Sequence, residues 1–176
     1  YDAWRDDMEP EEGIATENFL AGVTATPSMR ATAKYFWTVV ALIGAQVGLG
    51  IITAHYAVEG QDLYGIPISE YLPYAVTRTG HTQKAVLWIA TAWLAAGLYF
   101  APLISGHEPK FQRFGVNFLF TCLLIIVVGS FAGEWLGIHQ FFTDLTMNFW
   151  LGRQGYEYVD LGRFWQIFLF IGLLLW

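Results

Sequence analysis

The feature that most constrains this chain is the run from His81 to Pro102, HTQKAVLWIATAWLAAGLYFAP. Its apolar part is about 20 residues long, enough to cross a bilayer core of ~30 Å as one helix. A helix is the only open-ended element that can do so, because lipid offers the backbone no hydrogen-bond partners. The reading places His81 within the first turn or two, reaching inward from the membrane edge. It makes Pro102 the stop.

Three more runs share this character. Tyr35 to Ala54 reads as a first span, Phe114 to about Leu136 as a third, and a fourth starts near Leu161 and ends at Trp176 in FLFIGLLLW. About 12 residues follow Trp165, too few to cross. The expected fold class is therefore all-α: a fragment of a polytopic transmembrane helix bundle. It has three full spans, near 35–54, 82–102 and 114–136, and one truncated span at 161–176. Gly44 and Gly48 lie four apart on the first span, so they share a face and are expected to admit a close helix. Gln46 beside them is expected to face protein rather than lipid.

Residues 1–34 read as a polar segment outside the bilayer, with acidic residues at Asp6, Asp7, Glu9, Glu11 and Glu12. Thr26 or Ser28 is placed to cap a helix start at Pro27. Arg5, Arg30, Lys34, Lys110 and Arg113 fall on one side of the spans, and Arg78, Lys84, Arg153 and Arg163 on the other. Five against four votes for a cytoplasmic N-terminus.

Composition excludes other classes. The chain is 55% hydrophobic and only 14% charged, where a soluble domain has about 25% charged residues. The net charge is −6. No basic stripe exists to meet phosphates, so nucleic acid is excluded as a partner. The single cysteine, Cys122, permits neither an internal disulfide nor a cysteine metal site and reads as a small buried hydrophobe.

Several residues can carry chemistry. His81 is placed as an axial haem ligand, since bundles hold haem with histidines from facing helices. Ala90, Ala92, Ala95, Ala96 and Gly97 would make room for a porphyrin or a close helix. The plain alternative is an interfacial histidine bonded to a loop. Arg78 can meet a haem propionate or a lipid headgroup. His55 and Glu59 share a face if the first helix runs through them; they can receive a quinol's hydroxyls and protons, or form an ordinary exposed pair. Glu157 and Asp160 suit a helix dipole or a hard cation such as calcium. Glu134, in an apolar span, can carry protons or snorkel to the surface. His107 and His139 are assigned to solvent.

These stretches together resemble a known family. HTQKAVLWIATAWLAAGLYFAP, GVNFLFTCLLIIVVGSFAGEWLG and QGYEYVDLGRFWQIFLFIGLLLW, with TPSMRATAKYFW and AHYAVEG upstream, are similar to the quinol-dependent nitric oxide reductases of the haem–copper oxidase superfamily. The likeness covers nearly all of residues 24–176. It implies a membrane oxidoreductase that reduces two NO to N₂O with quinol electrons. Those electrons pass through a low-spin haem b to a haem–non-haem iron pair. It implies that His81 is an axial ligand of haem b, and that His55 and Glu59, with Leu63 beside them, form the quinol site. Glu157 would help bind calcium, with Asp160 at a second acidic position; Asp160 and Glu134 are the proton-transfer candidates. The remaining haem and iron ligands would lie on later helices, so the chain would be an internal piece of its parent, inactive alone.

The resemblance also implies a multi-pass protein of the bacterial inner membrane, with the first loop periplasmic. Its expected partners are lipid, quinol and nitric oxide, and a second copy of the parent. Leu63 stands where the family has an aromatic residue, Gly80 where it has tryptophan, and Arg153 where histidine or asparagine is common. Two alternatives follow: a nitric oxide dismutase-like relative that needs no quinol, and a non-catalytic membrane fragment.

Overall fold

The computed structural model describes residues 22–61, 65–155 and 160–175. They form helices and turns, with no strand among the described residues. The helices are α1 (Pro27–Ala31), α2 (Ala33–Glu59), α3 (Tyr74–Ser105), α4 (Gln112–Ile138), α5 (Leu145–Leu151) and α6 (Arg163–Leu175). Three stretches, Pro27–Glu59, Tyr74–Ser105 and Gln112–Ile138, are long and apolar enough to cross a membrane. The all-α transmembrane class is as expected.

The start is local chemistry. The Thr26 hydroxyl accepts the Met29 N–H at 3.3 Å, and Pro27 opens α1 with its ring φ already helical. Thr32 then joins α1 to α2 with near-helical angles. The Ser28 N–H reaches Glu108 at 3.2 Å, which ties this end to the loop between α3 and α4.

Each spanning helix is longer than its sequence expectation. At ~1.5 Å per residue, the 32 residues of α3 extend ~48 Å, well past a ~30 Å core. His81 is therefore not at the mouth of its helix. It is two turns in, roughly level with the edge of the hydrocarbon. Pro102 is not the stop either: it lies buried inside the last turns, and the helix ends at Gly106, whose φ of +65° is left-handed. The proline leaves the Leu98 carbonyl, four residues before it, without its helical N–H donor, and the helix continues for only three residues beyond it.

α2 and α3 run antiparallel, as their pairings show. Tyr35 packs with Ala95, Leu42 with Leu87, and Leu49 lies against Gly80. The Tyr56 hydroxyl donates to the Leu72 carbonyl at 2.9 Å. α4 closes the group, with Val116 and Leu123 on the Tyr35 cluster and Ile126 on the Leu42 cluster. The outer faces keep large apolar side chains exposed, Trp37, Trp93 and Phe118 among them, as lipid-facing helices do.

The close helix contacts are not where the first glycine pair put them. Gly44 and Gly48 have nothing near the position of a Cβ. The stripe that admits neighbours is Gly129, Gly133 and Gly137 on α4. A Cβ on Gly129 would overlap the Trp165 ring, one on Gly133 the Leu151 carbonyl, and one on Gly137 the Asn148 side chain. Spacing of four puts the three on one face, and α5 and α6 dock there. The Trp165 indole then donates to the Leu151 carbonyl at 2.8 Å. Asp144 caps α5, its carboxylate accepting from Thr146 and Met147.

Gly133→Val should destabilise the protein by about 1–3 kcal/mol, the usual cost of overpacking. Gly44→Ala should be neutral or stabilise by up to about 1 kcal/mol. Thermal unfolding in lipid nanodiscs checks both, and equal effects at the two sites would contradict the packing described.

Candidate functional site

α3 presents His81 to α2. Its Nδ1 donates to the backbone carbonyl of Gln46 at 2.8 Å. The imidazole can approach that closely because residue 50 is glycine: a Cβ there would stand 2.8 Å from both Cε1 and Nδ1 of the ring. The Gln46 side chain binds the same helix two turns further on, its Oε1 accepting the Trp88 indole N–H at 2.6 Å. Gln46 faces protein, as expected. A neutral imidazole with Nδ1 protonated carries its lone pair on Nε2. A carbonyl fixing Nδ1–H is the usual outer-shell arrangement of a metal-ligating histidine, because it sets both tautomer and ring plane.

His55 and Glu59 come together at the end of α2, since the helix does run through them. Nδ1 of His55 lies 2.5 Å from Glu59 Oε2. Both side chains are about one-third exposed, 38% and 32%, so the pair is open to the headgroup side. A carboxylate on Nδ1 leaves Nε2 as the nitrogen that takes up a proton and stabilises the resulting imidazolium. Arg78 is half-buried one turn before His81. Leu63 and Glu157, assigned to the quinol and calcium sites, lie outside the described residues.

A polar layer lies between α3, α4 and the segment before α6. Glu134 is 1% exposed, enclosed within the bundle. It does not snorkel. Asp160 is also buried, but its carboxylate accepts backbone N–H groups of Gln154 at 2.6 Å and Gly155 at 3.1 Å. It ties the loop ahead of α6. Gln83 donates to the Asp160 carbonyl at 3.2 Å. Lys84 was counted with the outer loop charges, yet it is buried beside Phe131, its Nζ 4.4 Å from the ring centroid. Without it the charge vote is five against three.

His139 is not solvated as expected. It is half-buried at the end of α4, stacked on Trp135 with ring centroids 4.1 Å apart, and its nitrogens meet the carbonyls of Trp135 at 2.8 Å and Glu70 at 3.1 Å. His107 is exposed. Cys122 is half-buried and, with Ala90, lines an apolar cavity of about 180 Å³ between α3, α4 and α6.

The sequence matches the family described as cytochrome c and quinol oxidase polypeptide I, over residues 30–176. The chain belongs to this family. Its members are membrane oxidoreductases that bind haem. A comparison with curated proteins gives no match. His81 has the donor chemistry a haem iron would need, an imidazole whose ring is held by Gln46 in the cradle that Gly50 opens. Among the described residues, no three His, Cys, Asp or Glu side chains gather as a metal-binding group.

The sequence singles out His81, His55, Glu59 and Glu134 as candidates; it does not reveal the role of Gly50, which only the helix pairing shows, or the burial of Lys84. In the haem-free full chain, ¹⁵N-histidine NMR should show His81 as the Nδ1–H tautomer. Gly50→Ala should shift that resonance and Gly48→Ala should not. An Nε2–H tautomer in the unmodified chain would contradict the site.

Proposed function

We propose that this chain is part of a quinol-dependent nitric oxide reductase of the bacterial inner membrane, with its α2–α3 loop on the periplasmic side. The overall reaction is 2 NO + 2 e⁻ + 2 H⁺ → N₂O + H₂O, with quinol as the source of electrons. The family membership and the motifs from TPSMRATAKYFW to the Trp176 end support this reading. The observation that carries it is the His81 geometry: a fixed Nδ1–H and an Nε2 lone pair, two turns into a membrane helix.

A haem b on His81 would supply one-electron transfer. The chain's own residues do the rest. His55 takes a proton from a quinol hydroxyl at Nε2, and Glu59 holds the ring and compensates the charge that forms. Arg78 would meet a haem propionate. Glu134, in the polar layer between α3 and α4, passes protons inward, and Asp160 fixes the loop that closes the layer. Glu157 would serve a calcium ion. Non-haem iron belongs to the parent protein, its ligands beyond this chain.

One observation favours the second reading, a dismutase-like relative without a quinol. A Cβ at Gly80 would already lie 3.0 Å from Phe131 and 3.1 Å from Leu49. No tryptophan of the kind usual in the reductases fits there without repacking, so the quinol-side wall differs from theirs.

In the full-length parent, His81→Ala should abolish the low-spin haem spectrum; an unchanged spectrum sinks the ligand assignment. His55→Gln and Glu59→Gln should lower quinol-driven NO reduction by about 10²–10⁴-fold, the range of a lost general base, while turnover with an artificial electron donor persists. Equal loss with both donors, or no loss with quinol, would remove the dyad from the quinol step.

A further inference from the structure

Four buried polar atoms on α3 and α4 have no hydrogen-bond partner among the described residues: Gln83 Oε1, Lys84 Nζ, Ser130 Oγ and Glu134 Oε2. Gln83 and Lys84 are on α3; Ser130 and Glu134 are one turn apart on α4. The side chains are closed off from solvent, at 1%, 5%, 0% and 1% exposure. The lid on one side is Phe131, whose ring covers the Lys84 amine and packs against Gly80. On another side, the backbone of Asp160 accepts the Gln83 amide.

An amine buried without a partner is among the costliest arrangements a core can hold. Lys84 reaches α4 at Phe131, three residues before Glu134, yet neither Nζ nor Oε2 has a hydrogen-bond partner among the described residues. Their donor and acceptor capacities are complementary. Nζ brings donors, Gln83 Oε1 and Glu134 Oε2 bring acceptors, and the Ser130 hydroxyl can do either. A buried water needs two to four such groups.

We propose that Gln83, Lys84, Ser130 and Glu134 enclose a binding site for ordered water, through which Lys84 serves as the internal counter-ion of Glu134. The water completes the coordination of all four groups and converts two isolated charges into a solvated pair. That pair holds α3 against α4 just inside the membrane edge. It also gives Glu134, the carboxylate assigned above to proton transfer, a fixed compensating charge. The site itself does not depend on that functional reading.

The test uses the full chain in lipid nanodiscs. Water-edited solid-state NMR with ¹⁵N-lysine should show magnetisation passing from water to the Lys84 Nζ. Thermal unfolding of Lys84→Met, Glu134→Gln and the double variant should show that the two changes are not independent. The double variant should be about tenfold or more better folded than the product of the single effects. Additive effects would overturn the pairing. Coupling without water transfer would overturn the water site in favour of a dry ion pair. Should a single variant not fold, the water transfer in the unmodified chain still decides the proposal.

Discussion

The hydrogen bond from His81 to the Gln46 carbonyl is the contact on which the rest of this bundle's reading depends. It needs α2 and α3 to run antiparallel at close range, and it needs a glycine at residue 50. Given both, an imidazole inside a membrane protein is oriented by backbone alone. The indole of Trp88 on the Gln46 side chain locks the same register two turns deeper. The Leu42–Leu87 and Tyr35–Ala95 contacts extend it toward the far end.

That register sorts the polar residues by end. The finish of α2, the start of α3, the finish of α4 and the start of α6 share one side of the bundle. There lie His55 and Glu59, His81, the Lys84–Glu134 layer and Asp160. The opposite end holds Arg30, Lys34, Lys110 and Arg113, where the Lys34 amine meets the Asn117 side chain. The interior between is apolar. Ionisable groups inside a membrane are costly and usually functional, so their collection at one end of an otherwise apolar bundle points to that end as the working one.

The helices were legible in the sequence because apolar length is nearly a sufficient signal in a membrane protein. Their ends were not. Tyr74 to Gly80 is polar enough to read as loop, yet it continues α3, and this is why His81 seemed to stand at the mouth. Pro102 seemed a stop because proline disfavours helix interiors, yet its cost falls on one preceding turn and the helix runs on to Ser105. The His55–Glu59 contact followed from i,i+4 spacing once α2 was long enough to include both. Gly44 and Gly48 had the right spacing and the wrong surroundings, while Gly129, Gly133 and Gly137 had the same spacing and were overlooked. Periodicity names a face but not what covers it. Lys84 looked like a boundary charge because lysine seldom enters an apolar interface; only the three-dimensional placement of Glu134 and Phe131 shows why this one does.

The account rests on His81 as the residue that ligates haem, with its ring set by α2. Near-infrared magnetic circular dichroism of the ferric full-length protein reads the axial ligand pair of a low-spin haem directly. With His81→Met, the account predicts that a bis-histidine signature changes to histidine–methionine. A bis-histidine signature that survives the substitution would contradict it.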